Sequence, residues 1–95
     1  MQAAIYHQFG KAKDVIEVRE VEKPEPHEGQ IRVKLFCAGV NPSDIKMRSG
    51  TSRPLTGNWQ IPSSDGAGIV DAIGSGVDRF KLGQRVWVFN AAFMR

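Results

Sequence analysis

Apolar and polar residues alternate along much of this chain with the period of two that a half-buried strand requires. The clearest run is Gln30 to Cys37, where Ile31, Val33, Leu35 and Cys37 share one face and Arg32 and Lys34 the other. That pattern predicts one buried face, with Cys37 as a core thiol and not a nucleophile. Val15 to Val21 alternates in the same way, with Ile16 and Val18 set against Glu17 and Arg19. Ala3 to His7 reads as a first strand around Ile5, and Ala67 to Ile73 as a strand apolar on both faces. Val77 to Lys81 and Arg85 to Phe89 read as two more. Turns are expected at Phe9-Gly10 with Lys11–Asp14, at Gly74-Ser75-Gly76 and at Leu82-Gly83-Gln84. The loop Lys23-Pro24-Glu25-Pro26-His27-Glu28-Gly29 cannot lie inside a sheet, because its prolines fix φ and withhold donors.

The single helical stretch follows the clearest strand. Asn41 can cap it, Pro42 suits its first position, and Asp44 places a carboxylate at the positive end of its dipole. Gly50 can stop it after about two turns, a length that is stable only through packing. Ser49 to Ser64 then runs without a pattern through Pro54, Gly57 and Pro62, longer than a compact domain usually spends on a connection. It is a candidate binding loop or, equally, a plain surface excursion. Asn41, Ser64 and Asp65 stand at its two ends, beside strongly patterned elements, where capping and turn chemistry accounts for them better than a site does on the residues alone. The sum is a mainly β domain with a short helix, a small barrel or curled sheet.

Composition narrows the function classes. Ninety-five residues allow one small domain. The net charge of +3 comes from 13 basic and 10 acidic residues that are scattered, so solvated faces explain them and a nucleic-acid footprint is not expected. No apolar run nears the ~18–20 residues that cross a bilayer. Met1-Gln2-Ala3-Ala4-Ile5 lacks the regions of a signal peptide, and one cysteine cannot form an intrachain disulfide, so a reduced, cytoplasmic setting is expected. Cys37, His7 and His27 occur without CxxC or HExxH spacing, which gives no metal site. Gly66-Ala67-Gly68 fails as a dinucleotide fingerprint because its third glycine would be Asp71. Ser63-Ser64-Asp65 has no histidine nearby in sequence to act as base for a hydroxyl nucleophile. The apolar tail Asn90–Arg95 has neither cap nor polar stop, and the domain, residues 1–95, reads as truncated with an open sheet edge.

Three ordered motifs carry a resemblance that covers nearly the whole chain. Ala38-Gly39-Val40-Asn41-Pro42-Ser43-Asp44, with Arg48-Ser49-Gly50, resembles the AGVNxxD…RSG stretch of zinc-independent, zeta-crystallin-like quinone oxidoreductases of the medium-chain dehydrogenase/reductase superfamily. Asp65-Gly66-Ala67-Gly68-Ile69-Val70, with Ile73-Gly74 and Gly76-Val77, resembles the family's (D/E)xAGxV…(V/I)GxGV segment. Phe80-Lys81-Leu82-Gly83-Gln84-Arg85-Val86 resembles its FxxGDRV turn, with Gln84 in place of Asp.

The resemblance implies the N-terminal part of a GroES-like catalytic domain, a partial β-barrel whose companion Rossmann domain is absent from this chain. It implies hydride transfer from NADPH to a quinone or enone, with NADPH held mostly by the Rossmann domain, and a homodimer at full length. In the zinc alcohol dehydrogenases of the superfamily a catalytic cysteine corresponds to Asn41 and a His-Glu pair to Ser64-Asp65, so no zinc is implied here. Asn41 falls at the position near the nicotinamide, and Ser64 and Asp65 face the cofactor with it. Lys46 stands beside Asn41 as a catalytic candidate, where many relatives carry an aromatic residue. Two other readings stay open: a free-standing GroES-like binding or assembly module, and an enoyl-thioester reductase of the same superfamily.

Overall fold

The computed structural model describes residues 1–51, 55 and 57–91. Strand β1 (Gln2–Ile5) pairs antiparallel with β2 (Glu17–Glu20), from Gln2↔Glu20 to Ile5↔Glu17. Between them lies one turn of helix, α1 (Ala12–Val15), where a plain turn was expected at Lys11–Asp14. The Lys11 carbonyl accepts the Asp14 and Val15 N–H groups at 2.9 and 3.1 Å, and buried Val15 packs so closely over Gly10 that a Cβ there would lie 2.8 Å from it. Packing thus holds a helix that its length alone would not. Tyr6 continues β1 and exchanges backbone hydrogen bonds with Gln60, N–H to carbonyl at 3.0 and 2.9 Å, which ties the first hairpin to the long loop.

Strands β3 (Ile31–Ala38), β4 (Gly66–Ile73) and β5 (Arg85–Val88) form an antiparallel sheet in the order β3-β4-β5. Two bulges interrupt the β3–β4 ladder. Asp71 is the extra residue of β4, between Val33↔Val70 and Arg32↔Ala72; Phe36 is the extra residue of β3, between Leu35↔Gly68 and Cys37↔Ala67. A bulge breaks the two-residue alternation, and this corrects the expected face. Leu35 is half-exposed, Phe36 is 70% exposed, and Cys37 is an exposed thiol, not a core one. Val18 is likewise exposed, because its two-stranded sheet has no cover on that side among the described residues. Val77–Lys81 forms no strand. Val70 N–H donates to the Gln84 carbonyl at 2.9 Å and its carbonyl accepts from Gly83 at 2.8 Å, so the turn before β5 takes the ladder bonds that such a strand would need.

The described apolar core is small: Ile5, Tyr6, Val15 and Val70, with Gln60 buried beside them. The radius of gyration, 14.2 Å, exceeds the ~12 Å of a compact domain of this length. Two open sheets, mostly strand with short helices, agree with a partial GroES-like barrel. No helix among the described residues is long and apolar enough to cross a membrane. The expected apolar tail lies, from Ala92 on, outside the described residues, as do residues 52–54, Pro54 among them, and 56 of the long loop.

Helix α2 (Pro42–Ser49) begins and ends as the sequence requires. Gly50 adopts φ 86°, the left-handed C-cap, and the Thr51 N–H closes on the Lys46 carbonyl at 3.1 Å. The end of α2 rests on the first turn, with Arg48 Nε donating to the Gly10 carbonyl at 3.2 Å and Gly10 N–H donating to the Arg48 carbonyl at 3.0 Å. On the far side of the sheet end, half-buried Arg32 pins the proline loop, donating to Asp71 Oδ1 (2.8 Å), Glu25 Oε1 (2.9 Å) and the Pro24 carbonyl (3.1 Å).

Candidate functional site

The β3–β4 register decides which residues meet. Ala38 pairs with Gly66, and the Gly39 N–H donates to the Asp65 carbonyl at 2.9 Å, so the chain leaving β3 and the chain entering β4 run side by side at one end of the sheet. Asn41 lies on the first of these segments and Asp65 on the second. The Asn41 side-chain amide donates to Asp65 Oδ1 at 2.7 Å. An ionised carboxylate only accepts, so the amide nitrogen faces Asp65. The Asn41 amide carries a second N–H besides the one given to Asp65.

Close approach makes this contact possible. The Asp65 carboxylate sits over Gly39, where an added Cβ would lie 2.3 Å from Oδ1. Ser63, at φ 86°, is a non-glycine residue in the left-handed region. Its hydroxyl donates to the Gly39 carbonyl at 2.6 Å and lies 3.2 Å from that of Asp65. Asp44 reaches both segments, accepting the Asn41 N–H at Oδ2 (2.8 Å) and the Ser63 N–H at Oδ1 (3.1 Å). A shallow depression beside Asp44 and Ser63 is lined also by Tyr6, Met47, Gln60 and Pro62. Burial pushes the Tyr6 phenol above its ordinary pKa, nearby Asp44 adds to the rise, and Arg48 opposes it.

Of the residues expected at the site, the structure brings Asn41 and Asp65 into contact. Ser64 lies next to Asp65 and contributes backbone, its carbonyl accepting from Ala91 N–H at 2.9 Å. Lys46 is an exposed residue of α2 whose carbonyl serves the C-cap, accepting from Ser49 Oγ and Thr51 Oγ1, and it makes no hydrogen bond to the Asn41–Asp65 pair. Sequence reasoning took Asp44 only as a helix-dipole partner and missed its reach to Ser63. An acidic residue three places after the cap is a capping-box signal, but nothing in the sequence announces the Ser63 backbone. Among the described residues no three His, Cys, Asp or Glu side chains cluster as a metal would need.

Residues 27–94 match the alcohol dehydrogenase GroES-like domain. The chain belongs to that family, within the medium-chain dehydrogenase/reductase superfamily. It is 36% identical over 90 residues to the quinone oxidoreductase of Rattus norvegicus, covering 95% of this chain and 27% of the relative. It is 34% identical over 94 residues to an alcohol dehydrogenase of Moraxella sp., covering 96% and 27%. The crystal structure of Escherichia coli quinone oxidoreductase complexed with NADPH superposes with a TM-score of 0.83 at 31% identity, covering 92% of this chain and 26% of that one. The GroES-like chain therefore spans about a quarter of the length of these relatives.

Proposed function

We propose that this GroES-like domain forms the substrate-side wall of a zinc-independent reductase that passes hydride from NADPH to a quinone or enone. The observation that carries the reading is the Asn41–Asp65 contact at 2.7 Å at the sheet end, together with likeness to quinone oxidoreductases. Bound NADPH supplies the hydride. Asn41, with Asp65 fixing its orientation, presents its remaining N–H to the carbonyl oxygen on which negative charge develops, or to the carboxamide of the nicotinamide. Ser64 and Asp65 face the cofactor with it. Lys46, exposed on α2 without an ion pair among the described residues, supplies a cation on the substrate side. The donor set supports a site without zinc. Where a metal would need a lone pair, Asn41 turns an N–H toward Asp65. In this reading the whole protein is a cytoplasmic homodimer, with NADPH held mostly by a Rossmann domain, acting on a small molecule and on neither nucleic acid nor membrane.

The test is NADPH oxidation by the full-length protein with 1,4-benzoquinone in chelator-treated buffer, with a crotonyl thioester and NADH as comparison substrates. Turnover is expected to survive chelation and to fall about a hundredfold in Asn41→Ala, the cost of losing one such donor. Loss of activity on chelation, restored by zinc, overturns the reading; faster turnover of the thioester moves it to an enoyl-thioester reductase. The exposed, stacked Trp87 and Phe89 rings, 5.6 Å apart, favour the second reading, an assembly module. A natural product of 95 residues that sediments as an oligomer and binds no NADPH would support it.

A further inference from the structure

We propose that Asp44 is a positioning residue which staples the segment after β3 to the segment before β4, and so holds Asn41 against Asp65. The proposal rests on the reading of Asn41 and Asp65 as the site. Its two carboxylate oxygens serve different chain segments: Oδ2 takes the Asn41 N–H at 2.8 Å, and Oδ1 takes the Ser63 N–H at 3.1 Å, nineteen residues further on. A helix cap needs only the first. The second holds a residue whose backbone is costly, since Ser63 at φ 86° occupies a region that serine adopts rarely. Ser63 spends its hydroxyl on the Gly39 carbonyl at 2.6 Å, which closes the same staple from the other side. Asn41 is three residues before Asp44 and Asp65 two after Ser63, so moving Ser63 relative to α2 separates the pair. Met47 and Pro62 line the space around these groups, which are part-buried. An asparagine at position 44 could accept at one oxygen only and would present an NH₂ group to the other donor.

The experiment compares Asp44→Asn with Asp65→Ala by ¹⁵N-edited NMR of the chain, in the absence of cofactor or substrate. Asp65→Ala removes the acceptor of the pair and gives the resonance position of a released Asn41 side-chain amide. In Asp44→Asn that amide is expected to move toward the released position, and exchange protection at Ser63 N–H to fall about ten- to a hundredfold, as loss of a charge-assisted bond implies. Protection at Ile5 and Val70 is expected to hold. A helix-capping role alone predicts fraying of α2 with the Asn41 side-chain amide unmoved, and that result overturns the proposal. The sole tyrosine gives an independent signature. With Asp44 neutralised, the Tyr6 phenol should ionise at lower pH while Arg48 stays in place; an unchanged titration counts against an ionised Asp44 beside it. Should Asp44→Asn not fold, hydrogen exchange of the unsubstituted chain in stepwise urea decides. The Asn41 side-chain amide and the Asn41 and Ser63 N–H groups must open as one unit, and separate openings overturn the staple. None of these readouts involves turnover. A failed quinone assay would therefore remove the site's proposed role and leave the staple standing, while an unmoved amide with intact turnover would do the reverse.

Discussion

Replacing Gly39 by alanine separates the site from the fold that carries it. The new methyl carbon would lie 2.3 Å from Asp65 Oδ1 and 2.7 Å from the carboxyl carbon. Gly39 is not among the residues at positive φ, so alanine meets no backbone strain there. It also narrows the unfolded ensemble, which favours folding by about 0.4–1 kcal/mol. What has to move is the carboxylate at the end of a short side chain. Swinging it away costs the 2.7 Å bond from Asn41. Hydrogen bonds to charged groups contribute about 1.5–3 kcal/mol, and partial exposure places this one near the lower end. The net loss is about 1 kcal/mol, which for a domain of this size lowers Tm by about 4–8 °C. The fold survives and the pair does not. Thermal unfolding followed by circular dichroism measures the first effect, and the Asn41 side-chain resonance measures the second. Gly68→Ala is the control, because its Cβ would lie 2.0 Å from the Lys34 carbonyl oxygen, a backbone atom of the paired strand with no rotamer to escape into. Overpacking against backbone should cost about 3 kcal/mol or more, a large part of a total near 5–15 kcal/mol. Equal melting of the two variants, or an unmoved Asn41 amide in Gly39→Ala, would refute the reasoning from Cβ clearance.

Other outcomes follow from the same contacts. Tyr6 has a raised pKa in the folded chain, so its contribution to stability is complete below the ordinary phenol value near 10 and is lost as pH rises from there through the raised value. Urea midpoints should therefore decline above about pH 10, and Tyr6→Phe should flatten that decline. Arg32→Met leaves Asp71 and Glu25 without their guanidinium and releases the Pro24 carbonyl, so the urea midpoint should fall and ¹⁵N relaxation should show a looser 22–26 loop. Gly50→Ala forces a side chain into the left-handed region at φ 86° and against the Phe9 ring at 2.8 Å, so it should cost about 1 kcal/mol or more in urea unfolding.

Apolar patterning located all five strands, β2 and β3 by strict alternation, because a strand with one packed face must repeat its apolar residues every second position. It failed at Phe36 and at Val77–Lys81 for different reasons. Phe36 already broke the pattern, an aromatic residue in the row of Arg32 and Lys34, and that irregularity marks the bulge which exposes Cys37. Val77–Lys81 has strand-like composition, but strand partners are a tertiary property, and Val70 had given its bonds to Gly83 and Gln84. At the site, the cap logic of Asn41, Pro42 and Gly50 was legible because it is local. The contact with Asp65, 24 positions away, was not. Motif likeness grouped Asn41 with Ser64 and Asp65 and gave no contact between any two of them. The left-handed backbone of Ser63, at φ 86°, stayed hidden because serine has no preference for it.

The bulge at Phe36 has a consequence beyond the misplaced face. Without an extra residue, the register that sets Leu35 opposite Gly68 would continue to place Phe36 opposite Ala67 and Cys37 opposite Gly66. With it, Cys37 meets Ala67 and Ala38 meets Gly66. The end of β3 is thereby set back by one residue relative to β4. That single step is what brings Gly39, the residue without a Cβ, under the Asp65 carboxylate. In the uninterrupted register Ala38 would occupy that place, and its methyl group would exclude the carboxylate. The exposed phenylalanine is thus tied to the site by geometry, even though it touches neither Asn41 nor Asp65 through any hydrogen bond. An irregular strand, and not the helix cap alone, sets the place where the amide and the carboxylate meet.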